Sequence, residues 1–411
     1  DLVRRTVRMI SREAKLPFEV VMLIIAAVVL LVTGVMLFLI YNGILPYYEN
    51  GLYGLLLIIF ALNTITLGRT PFGDIPRSKL LLVLGLLVAV IGMVTCLIPI
   101  SIRFPRVLLF FCLGPGGLLL FLGMLLAKDK FRSWVKYGGI FRHLMLACSA
   151  VYILSIAIAL LIWKQDLLTT PMTAVVILFF GAAVFYLAIV LGEIDRTYPE
   201  AARLPIGDIK LSIEQTMIIF TSVFMIIIGL VLIPVNLGML PFSSSAQLGI
   251  LMVIFAIQML AFGNTPIGPF PRTWLMIGLG ILAVVLGAIS SIIPGILVSL
   301  LTILIGLLNI LGGIIALTKI LVQGHRQEAV SRDPSPPILR RLFITQLSLN
   351  LLQILFGTSM LIPGLVPGMI IGVILAANGA VLLYLVSILS STIDWKDRFP
   401  LWFGKTKPRL F

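Results

Sequence analysis

Charge is what this sequence most conspicuously lacks. Only 11% of its 411 residues are Asp, Glu, Lys or Arg, while 60% are hydrophobic, and the mean hydropathy is +1.18. A water-soluble fold of this length needs a far more charged surface, so that class is excluded. Histidine occurs twice and cysteine three times, as Cys96, Cys112 and Cys148, with no CxxC spacing. Neither a zinc site nor a disulfide framework fits so few ligands, and the thiols read as small apolar packing residues inside helices. A heme bundle presents paired histidines at helical spacing, and His143 has no such companion. No cofactor is expected.

Long apolar runs are what the sequence has instead. About twelve are present, each of roughly 17–25 residues, the length a helix needs to cross hydrocarbon about 30 Å thick. They cover 18–41, 51–67, 80–98, 106–127, 142–163 and 171–192, then 213–235, 246–262, 274–293, 296–318, 341–362 and 367–390. The spacing predicts an all-α integral membrane protein, because helices satisfy their own backbone in lipid. Of the 30 Lys and Arg residues, all but Arg103, Arg106 and Lys164 fall at the termini or after even-numbered spans. By the positive-inside rule, both termini are expected in the cytoplasm, in a cell (inner) membrane. The net charge of +14 then reports topology and contact with anionic headgroups, not nucleic acid. Trp163, Trp274 and Trp395 lie near span ends, as an aromatic belt requires.

One odd loop occurs twice. "GRTPFGDIPRSK" at 68–79 is answered by "GNTPIGPFPRTW" at 263–274, an offset of 195. Neither copy has P-loop spacing, so each reads as a shaped turn, a hinge or docking surface rather than a phosphate cradle. The offset extends further: "KLPFE" at 15–19 matches "KLSIE" at 210–214, Gly34 matches Gly229, and Pro99 matches Pro294. Near the end it drifts to about 198, where "GAAVFYL" at 181–187 answers "GAVLLYL" at 379–385. The chain therefore reads as two six-helix membrane repeats, 1–200 and 201–411, both entering the membrane the same way up.

Within each repeat, Gly92 precedes Pro99, Gly229 precedes Pro234, Gly287 precedes Pro294 and Gly357 precedes Pro363. Each Gly lies inside an outgoing helix and each Pro near its outer end, before a short turn into a returning helix. Three helical hairpins per repeat are the expected result. Their Gly/Leu/Pro texture, as in "LVLGLLVAVIGMVTCLIP" and "MIGLGILAVVLGAISSIIP", resembles the HdeD-like membrane proteins, here as a fused pair. That resemblance implies a non-catalytic membrane protein linked to stress responses. Two parallel six-helix halves also resemble the major facilitator transporters. The loop after the second span differs from theirs: it has no Asp-Arg dipeptide, and Pro269 replaces Asp74 in the second copy.

Ionisable residues at membrane depth usually mark proton or ion pathways. Here Glu19, Glu193, Glu214, Arg142 and His143 all sit at span ends, which argues against a proton-relay transporter and an intramembrane hydrolase. Three features remain as candidate sites. Asn309, Asn350 and Asn378 place amides near mid-membrane in the last three spans, with Gln346 and Gln353 nearby, and Asn63 and Gln258 occupy matching places in the second and eighth. Such amides either bond neighbouring helices or form a polar site for a small molecule or lipid. Gly368, Gly372, Ala376 and Ala380 form a small-residue stripe for close helix packing. Arg4, Arg5, Arg8 and Arg12 face away from Val3, Val7 and Ile10, as on an interfacial amphipathic helix. With eleven spans following, that segment is not read as a cleaved signal.

The leading expectation is a scaffold, stress-related protein or subunit of a larger membrane complex, with partner subunits in the membrane. The alternative is a transporter or channel for an uncharged or lipid-like solute. An enzyme is not expected, since no nucleophile–base, metal or cofactor constellation appears.

Overall fold

A computed structural model describes residues 16–67, 69–70, 73–74, 79–99, 101–126, 139–164, 167–198, 212–265, 268–269, 272–330, 337–362 and 364–398. Twelve helices lie among these residues. The first six are α1 Phe18–Tyr41, α2 Glu49–Leu67, α3 Lys79–Leu97, α4 Arg103–Leu126, α5 Ile140–Trp163 and α6 Thr170–Thr197. The second six are α7 Ile213–Asn236, α8 Ser244–Phe262, α9 Trp274–Ile292, α10 Val298–Val330, α11 Pro337–Leu361 and α12 Gly368–Arg398. Eleven of the twelve are long and apolar enough to cross a membrane; α2 falls just short over its described stretch, Glu49–Ile65.

The side chains that face outward confirm the solvent. Leu80 and Leu87 on α3, Leu119 and Leu126 on α4 and Phe179 on α6 all stand exposed. A water-soluble surface does not sustain apolar faces of this extent, whereas hydrocarbon solvates them. The chain is a multi-pass helical membrane protein.

Local sequence sets several helix ends. Ser212 accepts a hydrogen bond from the Gln215 amide, and the Gln215 side chain accepts one from Ser212 N–H, a reciprocal cap that starts α7. Thr273 caps α9 through the Met276 amide. Pro234 lies in the last turn of α7, where a missing intrahelical bond costs little.

The chain forms two compact units that do not follow its midpoint. One holds α1–α6 together with α8, α9 and the first turn of α10; the other holds α7, the rest of α10, α11 and α12. In the first unit α1 packs on α6, α2 on α3, α4 on α5 and α5 on α6, while α8 packs on α9 and both meet α1. α8 is apolar and buried around most of its circumference. In the second unit α7 packs on α12 and α11 on α12, and Gly306 of α10 lies against Gly357 of α11.

The four glycines that precede prolines all sit at close helix crossings, but against different partners from those expected. A Cβ on Gly54 (α2) would lie 2.5 Å from the Gly92 (α3) carbonyl oxygen, and one on Gly92 would lie 2.9 Å from that of Gly54. Gly249 (α8) and Gly287 (α9) oppose each other in the same reciprocal way, as do Gly306 and Gly357, and Gly229 (α7) and Gly372 (α12). The close pairs are thus α2 with α3, α8 with α9, α10 with α11 and α7 with α12. The expected hairpins α1–α2 and α3–α4 make only slight contact. Close approach needs small residues on both helices, and the opposing glycine decides the partner; the turn that follows does not.

Candidate functional site

The repeated loop forms a minimal antiparallel hairpin in both copies. β1 (Arg69–Thr70) pairs with β2 (Gly73–Asp74), and β3 (Asn264–Thr265) pairs with β4 (Gly268–Pro269), in equivalent register. Beyond the second hairpin, Arg272 donates through one guanidinium nitrogen to the Ala261 carbonyl at 3.1 Å and to the Leu16 carbonyl at 3.0 Å. The last carbonyls of a helix lack intrahelical donors, so Arg272 both caps α8 and ties it to the entry of α1. Phe18 stacks on Phe262 beside this link, with ring centroids 5.7 Å apart. The turn is a fastener.

A second link lies at the opposite end of α8. Tyr48 N–H donates to the Ile292 carbonyl at 2.9 Å, and Ser243 N–H donates to the Leu97 carbonyl at 3.0 Å. Positions 243 and 292 are 48 and 97 advanced by 195, so each bond is the other's counterpart under the sequence offset. Around them, Ser245 and Ser290 exchange hydroxyl-to-carbonyl bonds at 2.7 and 2.8 Å. Tyr48 Oη donates to the Cys96 carbonyl, and Cys96 Sγ to the Gly51 carbonyl. A Cβ on Gly51 would collide with the Ser291 carbonyl, so only glycine permits this contact. Helices α2, α3, α8 and α9 thus form a dense core in which these polar groups bond one another.

The amide set is only partly assembled. Asn309 is buried and donates to Ile305 O of its own helix at 2.8 Å, with its Cβ beside Gly357. Asn350 is buried, and its carbonyl lies against Gly313, so both residues lie at the α10–α11 contact. Asn378 is half-buried on α12. In the small-residue stripe, Gly368, Gly372 and Ala376 meet α7 at Asn236 and Gly229. Ala380 is exposed, and Gly379 takes its place against Ser222 and Ile226. A helix turns every 3.6 residues, so a strict four-residue stripe drifts off the contact and a three-residue step restores it. Arg4, Arg5, Arg8 and Arg12 lie outside the described residues. His143 is exposed and shares a hydrogen bond with Tyr186 of α6 at 2.6 Å. Among the described residues, no group of three His, Cys, Asp or Glu side chains could hold a metal.

What sequence reasoning missed is a cavity of about 430 Å³ among the first six helices. Helices α1, α2 and α6 supply most of its wall, with Leu109 and Leu113 of α4 and Ile158, Leu161 and Ile162 of α5 closing the side. Tyr47, Glu49, Thr170 and Thr173 gather at one end, and Asn63 lies at the other. Glu49 accepts from Arg106 Nη2 at 3.1 Å, in a pair whose side chains are 23% and 26% exposed. That places the ion pair at helix ends, not at membrane depth. Among the described residues, Arg106 Nε and Asn63 Oδ1 are buried with no partner. If sealed and unfilled, a space of this size would cost on the order of 10 kcal/mol, as much as the stability of a whole domain. An apolar wall holds water poorly, so an apolar filler suits it better.

No family model matches this sequence, and no curated protein or solved structure is measurably similar to it.

Proposed function

We propose that this protein is a non-catalytic scaffold or subunit of a membrane complex, built as two fused, parallel six-helix repeats of HdeD-like type. The reading rests on one observation, the reciprocal bonds from Tyr48 to Ile292 and from Ser243 to Leu97. A surface that bonds i to j and j to i is what a two-fold axis produces, and it is the internal form of an isologous dimer contact. Its axis would run along the membrane normal, as six-helix repeats of equal direction require. The equivalent glycine crossings at Gly54–Gly92 and Gly249–Gly287 add support.

This core also bears on the choice between readings. Alternating access rocks one repeat against the other around a site between them. Here the hairpin α8–α9 of the second repeat is hydrogen-bonded to α2–α3 of the first, with backbone in contact at Gly51. Rocking would break both bonds and open that glycine contact. The cavity, moreover, lies within one repeat. Both termini are assigned to the cytoplasm on the distribution of Lys and Arg.

Purification in mild detergent followed by mass analysis tests the proposal. Stoichiometric partner subunits are expected. A lone chain whose thermal unfolding shifts on adding a transported solute would favour the second reading, a carrier of uncharged or lipid-like solutes, for which the cavity is the supporting observation.

A further inference from the structure

The cavity of the first repeat has the dimensions of a chain. Its wall on α1 runs from Leu23 to Leu37, on α2 from Glu49 to Asn63, and on α6 from Thr170 to Val184. On each helix the lining residues recur every three or four positions over the same length, so three parallel stripes face one slot. At 1.5 Å per residue that slot is about 21 Å long, more than one leaflet of hydrocarbon at about 15 Å. The volume spread over that length leaves a section of about 20 Å², the width of a single hydrocarbon chain.

Its ends differ from its middle. Between them the wall is aliphatic and aromatic apart from Thr33, whose hydroxyl donates to Val29 O. At the end where α2 and α6 begin, Glu49 lines the slot, and Arg106 neutralises its carboxylate. Tyr47 adds a hydroxyl there. A fixed anion would meet the Glu49 carboxylate, and a fixed cation would find that charge already neutralised by Arg106. An uncharged hydroxyl head can accept from the Tyr47 hydroxyl and donate to Glu49 without disturbing the pair.

We propose that this slot binds a single-chain amphiphile with an uncharged hydroxyl head, a long-chain alcohol, with the head at Tyr47 and Glu49 and the tail running toward Asn63. The inference is independent of the scaffold reading, since it concerns one repeat and needs neither partner nor transport.

The test uses the full chain in phosphatidylcholine nanodiscs with hexadecanol carrying a photoreactive diazirine in its tail. Cross-links are expected within 49–63 and 170–184. Unlabelled hexadecanol should suppress them about tenfold more effectively than palmitate or hexadecyltrimethylammonium, which share its tail but carry opposite charges. Leu56→Trp, which fills the slot, and Thr173→Trp, which narrows its polar end, should each reduce labelling about tenfold with thermal unfolding unchanged. Labelling scattered over the lipid-facing helices, suppression by the two-chain nanodisc lipid, or full labelling of both tryptophan variants would overturn the site. Equal competition by palmitate would overturn the uncharged head. The competition order is read on the parent chain and so stands whether or not the variants fold.

Discussion

Helices α2 and α8 lie 195 positions apart in the sequence, and they differ in an instructive way. Both cross their successor at a glycine pair, Gly54 with Gly92 and Gly249 with Gly287, and both are anchored by the same reciprocal backbone bonds. The residues around those contacts have not been held alike. Glu49, Tyr53 and Asn63 of α2 line a cavity, whereas the positions 195 further on hold Ser244, Leu248 and Gln258. Arg106, partner of Glu49, is answered by Leu301, and Thr33 by Ile228. Where backbones touch, only the smallest side chain fits, so both helices have glycine there. Where a side chain faces a slot, many residues fit, and the two helices differ.

The comparison breaks most readily at the crossings. Gly54→Ala and Gly249→Ala each put a methyl within contact distance of a carbonyl oxygen and should cost about 2 kcal/mol. Thermal unfolding in detergent reads both; a large loss at one site with none at the other would show that the two crossings are not equivalent.

The ion pair of the first copy should show its absence from the second. Arg106→Leu alone leaves a half-buried carboxylate without its cation and should cost about 2 kcal/mol, while adding Glu49→Leu should return stability to within about 1 kcal/mol of the parent. A double variant no better than the single would mean that Arg106 acts mainly through packing.

Arg272→Ala removes two charge-assisted bonds to carbonyls and should cost about 1.5 kcal/mol, with Arg272→Lys recovering part of it. Limited proteolysis near Leu16 should accelerate in the alanine variant, and unchanged cleavage would deny the tie between α8 and the start of α1.

The amides should matter least. Asn309→Leu, Asn350→Leu and Asn378→Leu are each expected to cost about 0.6 kcal/mol, the usual worth of a polar contact in lipid. Asn309 bonds its own helix, and its replacement should fall at or below that figure. A much larger loss on unfolding would restore the polar-site reading for the second repeat.

Much of this architecture is legible in one dimension. The expected spans agree with the helices within a few residues at most ends, because a run of apolar residues long enough for hydrocarbon has little alternative to helix. The glycines at 92, 229, 287 and 357 were readable as close approaches, but their partners were not. Gly92 reaches Gly54 thirty-eight positions back, and the sequence between them does not reveal which neighbour will face it. Glu49 and Arg106 stand 57 residues apart on separate helices, so no local pattern announces the pair. The cavity was invisible for a related reason: each of its walls reads as an ordinary apolar helix face.

Composition and period alone determined that this chain lives in a bilayer, that it is helical, where its helices start and stop, and that it carries an internal offset of 195. Those properties follow from the solvent and from the backbone's need to bond itself, which act residue by residue. Tertiary structure decided which glycines oppose one another, that α8 and α9 group with the first six helices, and that α1, α2 and α6 enclose a slot. Such outcomes depend on how side chains of distant helices interlock, and interlocking is a property of pairs that no single stretch of sequence contains.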